Sequence, residues 1–213
     1  EALAAQGADI AIVVRSSTAL AQELADELNS RGGDHFVIQA DVSVEADVER
    51  MAREVAARWG RVDILVNNAG IIRRADSLDF TEEDWDAVLD TNLKSVFFLC
   101  QAFAKAAIAA GRPGKIINIA SMLSFQGGIR VPSYTAAKSG LAGVTKLLAN
   151  EWAARGINVN AIAPGYVETN NTQALRADTV RNADILKRLP AGRGARQEVI
   201  AGAAIFPAGP ASD

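Results

Sequence analysis

Ile116-Ile117-Asn118-Ile119-Ala120-Ser121 reads as an apolar strand that stops on a hydroxyl. Two other stretches have the same form. Asp63-Ile64-Leu65-Val66-Asn67-Asn68-Ala69-Gly70 runs an apolar strand into a small-residue turn, and Val159-Asn160-Ala161-Ile162-Ala163-Pro164-Gly165 ends as sharply. Helical patterns separate these strands. Strands alternating with helices give an α/β fold with a parallel sheet, whose ligands bind outside the carboxyl ends of the strands. Strands are predicted near 9–14, 34–39, 62–66, 115–120 and 157–163. Helices are predicted near 18–31, 44–59, 81–89, 93–111, 133–155 and 196–205.

Downstream of Ser121, Tyr134 and Lys138 stand four apart on a predicted helix and so share one face. A phenol titrates near 10, too high for easy proton exchange at neutral pH. A nearby ammonium favours the phenolate. Ser121 returns to the same point from the end of its strand. The trio makes a general acid/base, its activator and a donor for a carbonyl oxygen. A Tyr and a Lys so spaced also occur as a plain solvated pair, and Ser121 could simply cap a turn. The combination with the strand ends favours chemistry.

Composition narrows the field. The 213 residues suit one domain, 1–213, with 49% hydrophobic and 22% charged residues. A net charge of −3 and no basic block argue against nucleic acid. No apolar run approaches a membrane span, so no membrane association is expected. The single cysteine, Cys100, lies among Val96, Phe97, Phe98 and Leu99 and reads as a core thiol in a reducing, cytoplasmic setting. His35 is the only histidine, and no cluster has metal-ligand spacing, so no metal is expected.

The ordered set Asp41-Val42, Asn67-Asn68-Ala69-Gly70, Asn92, Ser121, Tyr134-x-x-x-Lys138 and Pro164-Gly165 with Thr169 resembles the short-chain dehydrogenase/reductase family. The resemblance covers about residue 8 to about residue 190. It implies a Rossmann-type, doubly wound parallel sheet in three layers and an NAD(P)-dependent oxidoreductase. It also implies a strand, a glycine-rich pyrophosphate turn and most of a helix ahead of Glu1, and a further strand beyond Asp213. The expectation is therefore a longer chain, incomplete here at both ends. Without its central strand the sheet would show apolar edges on either side of a gap.

The resemblance also assigns roles. Tyr134 is the general acid/base. Lys138 lowers the phenol pKa and bonds the nicotinamide ribose. Ser121 holds the substrate oxygen, and Asn92 holds a water leading from Lys138 to solvent. Asp41 and Val42 meet the adenine, with helix capping as the other reading of Asp41. Asn68, Ala69 and Gly70 lie along the adenosine ribose, and Pro164, Gly165, Val167 and Thr169 pass the nicotinamide.

Arg15 and Ser16 follow the first strand, where an acidic residue would bind the ribose 2′-OH of NAD. A cation and a hydroxyl there favour NADP, with NAD the alternative.

The substrate loops are similar to the branch of the family acting on sugar acids in hexuronate breakdown. Arg73, Arg74 and Arg130 suit a carboxylate, and Gln126, Asn170 and Asn171 suit hydroxyls. A related family member acting on gluconate or on a carrier-bound oxoacyl group, or a non-catalytic dinucleotide-binding scaffold, are the other readings. The long polar stretch 166–190 is a candidate lid. Pro207 and Pro210 are expected to interrupt the last helix. Helices 93–111 and 133–155 are apolar around much of their circumference, and the resemblance makes them a subunit interface in a homotetramer or homodimer.

Overall fold

A computed structural model describes residues 1–169 and 172–212. Every strand pairing in it is parallel. Strand β1 (Ala11–Val14) leads through helix α1 (Thr18–Ser30) to β2 (Phe36–Gln39), with Ala11 opposite Phe36. Helix α2 (Glu45–Trp59) leads to β3 (Ile64–Asn67). After α3 (Glu82–Leu89) and α4 (Ser95–Ala109), β4 (Gly114–Ile119) pairs with β3, with Leu65 opposite Ile116. Helix α5 (Pro132–Trp152) then crosses to β5 (Ile157–Ile162), which pairs along the whole of β4. Parallel neighbours need such crossovers, and helices supply them. Helices α6 (Gln173–Ala177), α7 (Thr179–Arg188) and α8 (Glu198–Ala208) complete the chain.

The strands form two groups, β1-β2 and β3-β4-β5. Among the described residues β1 pairs only with β2 and β3 only with β4, and Val13 and Val66 are partly exposed on those two strands. The main core lies where α4 and α5 pack on β4 and β5. Val96, Cys100 and Ala107 meet Ile116, Leu141, Leu148, Ile157 and Val159 there. Ile116 and Ile117 point to opposite faces, yet both are fully buried, so both faces of β4 are covered. Helix α8 packs against β4 as well. A second core joins Ile38, Ala40 and Val55, with Phe36 and Trp59 edge to face beside it.

Local chemistry sets the element ends. Thr81 Oγ1 accepts from the Asp84 amide, with Glu82, Glu83 and Asp84 in the first turn of α3, as the sequence predicts. Gly60, at φ +70°, ends α2 in the left-handed conformation.

Three features depart from expectation. Helices α3 and α4 are not separate: a π turn, Asp90–Lys94, joins them into one continuous helical stretch. The stretch 166–190 contains α6 and α7 rather than plain loop, and Asp178 caps α7 by accepting from the Arg181 amide. Pro207 does not interrupt α8. It sits buried in the last turn, where its missing N–H costs one bond and the ring packs inward. No described helix is long and apolar enough to cross a membrane.

Candidate active site

Because the strands are parallel, their C-terminal ends lie along one edge of the fold, and every strand brings a predicted site residue to it. Arg15 follows β1, Asp41 follows β2, Asn68 follows β3, Ser121 follows β4 and Pro164 follows β5. Such an edge is where open α/β sheets bind ligands.

Ser121 leaves β4 in extended conformation and caps a short 3₁₀ turn, Met122–Ser124. Its Oγ accepts from the Leu123 amide at 3.1 Å, so the capping role is real. The Ser121 side chain also acts on Tyr134, pulling the phenol pKa down against the effect of burial. Proline opens α5 at Pro132, which fixes φ for the first turn and places Tyr134 there.

Lys138 is buried one turn further on, and its Nζ donates to the Ile119 carbonyl. Burial lowers its pKa to about 8. The ammonium lies 5.7 Å from the Tyr134 ring centroid. The expected lowering of the phenol by Lys138 is not what this arrangement gives. Burial raises the Tyr134 pKa above its ordinary value, against smaller pulls downward from the Ser121 side chain and the Arg74 guanidinium. Desolvation of the phenolate outweighs both.

Asn92 is fully buried in the π turn. Its side chain makes two bonds to the loop after β3. Oδ1 accepts from the Ile71 amide and Nδ2 donates to the Ile71 carbonyl, both at 2.8 Å. The loop Asn68-Ala69-Gly70-Ile71 is thereby fastened to the helix. A Cβ on Gly70 would come within 3.3 Å of Asn92 Oδ1, so glycine keeps that loop close.

Beneath the edge runs a polar chain that local sequence patterns did not show. Asn67 Nδ2 donates to Asn118 Oδ1 at 2.9 Å and to Cys100 Sγ at 3.3 Å. Asn118 Nδ2 donates to Thr145 Oγ1 at 3.0 Å. All four residues are buried, and the chain ties β3 and β4 to α4 and α5. The Cys100 thiol is pushed up to about 12 by burial, as fits an inert packed thiol.

The remaining predicted residues sort by partner. Asp41 Oδ1 accepts from both the amide and the hydroxyl of Ser43, and its carboxyl is held below its ordinary value chiefly by these bonds. Arg15 lies 3.8 Å from Asp41 Oδ2, which brings two proposed cofactor contacts into one ion pair. Ser16 is exposed and Val42 is half-buried beside them. Pro164 accepts from the Met122 amide at 2.9 Å and so holds the Ser121 turn. Gly165 is exposed just beyond. Val167 bridges to Ala195, and the Thr169 amide donates to Thr172 Oγ1 at 3.0 Å.

The three arginines part company. Arg73 pairs with Asp84 at 3.0 Å and Arg130 with Asp76 at 3.1 Å. Each of these exposed pairs holds its arginine beside a carboxylate of the chain itself. Arg74 pulls the Tyr134 pKa down. Gln126 is exposed on the loop before α5. Asn170 and Asn171 lie outside the described residues.

The family model for short chain dehydrogenases matches residues 1–180. The chain belongs to the short-chain dehydrogenase family. As a member it is an NAD(P)-dependent oxidoreductase with a Rossmann-like fold. The chain is 56% identical over 191 residues to 2-dehydro-3-deoxy-D-gluconate 5-dehydrogenase of Escherichia coli (strain K12), covering 90% of this chain and 76% of that one. It is 49% identical over 213 residues to the enzyme of the same name from Bacillus subtilis (strain 168), covering 100% and 82%. A crystal structure of a gluconate 5-dehydrogenase from Burkholderia cenocepacia J2315, in complex with NADP and tartrate, superposes with a TM-score of 0.91 at 42% identity, covering 99% and 82%.

The residues present suit a dinucleotide. Asn68, Ala69 and Gly70 offer an exposed strip of small residues at the strand edge. A half-buried carboxylate and an exposed guanidinium lie further along it.

Proposed function

We propose that the chain interconverts 2-dehydro-3-deoxy-D-gluconate and its 2,5-diketo form, with NADP as the preferred cofactor. The observation that carries this reading is the Tyr134 phenol itself. It is half-buried, and the Ser121 side chain and the Arg74 guanidinium both favour its ionised form. A hydroxyl suited to a substrate oxygen and a cation suited to a carboxylate thus both act on one proton-transfer group, which fits a sugar acid. The names of the relatives support the same substrate.

When bound, the nicotinamide cofactor accepts hydride from the substrate carbon or returns it. The residues of this chain do the rest. Asn68, Ala69 and Gly70, with Asp41 and Val42, would hold the adenosine end, and Arg15 and Ser16 its 2′-phosphate. Pro164, Gly165, Val167 and Thr169 would hold the nicotinamide end. Ser121 Oγ donates to the substrate oxygen and keeps it beside Tyr134. In oxidation the Tyr134 phenolate takes the hydroxyl proton. In reduction the phenol gives it back. Buried Lys138 lies next to the ring, and protonated Lys138 would steady the phenolate. Arg74 sets the distance of the reacting carbon from the carboxylate.

Phe98 and Leu147 are exposed on α4 and α5. They support an oligomer through those helices, a homodimer or homotetramer, which sedimentation would measure. Single, buried Cys100 accords with a cytoplasmic setting.

The deciding experiment follows nicotinamide absorbance with 2-dehydro-3-deoxy-D-gluconate and with gluconate, for the wild type and Tyr134→Phe. Turnover of the deoxy keto acid, lost by at least about a hundredfold in the variant with NADP binding retained, is the expected result. Turnover of gluconate alone would overturn the substrate. Equal activity in the variant would overturn the mechanism.

A further inference from the structure

Ser124 occupies an unusual place in the site. Its hydroxyl accepts from the backbone N–H of Ser121 at 3.3 Å and donates to the backbone carbonyl of Lys138 at 2.6 Å. A serine hydroxyl carries one proton and two lone pairs. Here the proton goes to one proposed reacting residue and a lone pair to another. Ser124 also completes a reciprocal cap, because Ser121 Oγ accepts from the Leu123 amide while Ser124 Oγ accepts from the Ser121 amide.

Lys138 therefore meets the Ser121 segment on both sides. Its side chain reaches Ile119, two residues before Ser121, and its carbonyl receives Ser124, three residues after. Other ties to the turn are backbone or exposed. Pro164 accepts from the Met122 amide, and Ser139 Oγ donates to the Leu123 carbonyl at a longer 3.3 Å. Among the described residues, the Ser124 side chain is the one that touches the backbone of Ser121 and of Lys138 together.

We propose that Ser124 is a positioning residue, whose hydroxyl fixes the turn bearing Ser121 against the helix bearing Tyr134 and Lys138. The proposal rests on the catalytic reading above. Ser124 touches no reacting atom; it sets the separation between the group that holds the substrate oxygen and the group that moves the proton. Small displacements in such geometry carry large rate penalties. Loosening Ser121 also moves its hydroxyl relative to the phenol, whose pKa the Ser121 side chain pulls down.

The test compares Ser124→Thr, which keeps the hydroxyl, with Ser124→Val, which has nearly the same shape without it. Ser124→Ala and Ser139→Ala accompany them. Steady-state kinetics are taken across pH, with NADP affinity measured directly and folding followed by circular dichroism. Expected is a fall in kcat of about tenfold in the Val and Ala variants, with KM for NADP unchanged. The pH at which the oxidative rate rises should move upward in both. Ser124→Thr and Ser139→Ala should leave kcat and the profile near wild type.

Wild-type kcat and pH profile in Ser124→Val would overturn the proposal, even with lower thermal stability, because Ser124 would then be structural only. A Thr variant as impaired as the Val variant would overturn it too. If the wild type itself moves no hydride while binding NADP, the catalytic reading falls first and takes this one with it.

Discussion

Asn92 holds both backbone groups of Ile71, accepting from its N–H and donating to its carbonyl at 2.8 Å each. This double bond fastens the loop after β3 to the π turn between α3 and α4. The same loop carries Asn68, Ala69 and Gly70, the proposed rest for the adenosine ribose. A side chain that looks like a reacting group in the sequence thus acts on the shape of the cofactor edge.

Asn92→Ala should leave the Ile71 amide and carbonyl without their partners. The expected loss is about 2 kcal/mol of folding stability, since orphaned buried polar groups cost about 1–3 kcal/mol each and Ile71 is only half-buried. NADP affinity should fall with it. Denaturant unfolding and a fluorescence titration with NADP measure the two effects. A variant with unchanged stability and cofactor affinity would refute the fastening role.

Lys138 offers a prediction in which stability and activity move oppositely. Burial lowers its pKa to about 8 from an ordinary value of 10.5. A base whose folded pKa lies below its unfolded one opposes folding while charged. That cost is fully present below pH 8 and disappears as pH rises from 8 to 10.5. Lys138→Met should therefore be inactive yet more stable at pH 7, by on the order of 1 kcal/mol after loss of the bond to Ile119. The gain should shrink by pH 10. Thermal unfolding at the two pH values checks the sign.

The arginines should separate in kinetics. Arg74→Ala is expected to raise KM for the sugar acid by about tenfold or more, because a carboxylate would lose its fork. Arg73→Ala and Arg130→Ala should change it by less than about threefold, since exposed pairs with Asp84 and Asp76 contribute little. The reverse order in measured KM would move the carboxylate to another arginine.

Arg15 bears on the choice of cofactor. In the Arg15–Asp41 pair the guanidinium lies just past the end of β1, where the proposed 2′-phosphate contact would be made. Arg15→Ala should lower kcat/KM with NADP by about tenfold relative to NAD. An unchanged ratio would assign the discrimination elsewhere.

Much of this architecture was legible in the chain. Apolar runs such as Ile64–Asn67 and Gly114–Ile119 announce strands because a sheet buried on both faces needs continuous apolar residues. Tyr134 and Lys138 fall on one helix face by simple periodicity, and Thr81 announces its helix by capping chemistry. The rest depended on partners distant in sequence. Nothing local to Asn118 reveals Asn67 and Thr145, and nothing local to Arg73 or Arg130 reveals Asp84 or Asp76. The rise of the Tyr134 pKa depends on burial, which the helix face alone does not fix. Helix α7 did carry a signal, since Asp178 stands where a cap belongs, but the polar stretch around it reads as loop. The π turn leaves no mark in composition at all.

That turn has a consequence for how the chain can vary in length. A π turn is an α-helix holding one residue too many. Shortening 90–94 by a single residue would restore ordinary winding, because the wider turn carries its extra residue through about the rotation of one fewer in an α-helix. Val96, Cys100, Ala104 and Ala107 would keep their inward face. What the deletion would remove is the bulge that presents Asn92, so the helix tolerates a change of length there that the loop fastened at Ile71 does not.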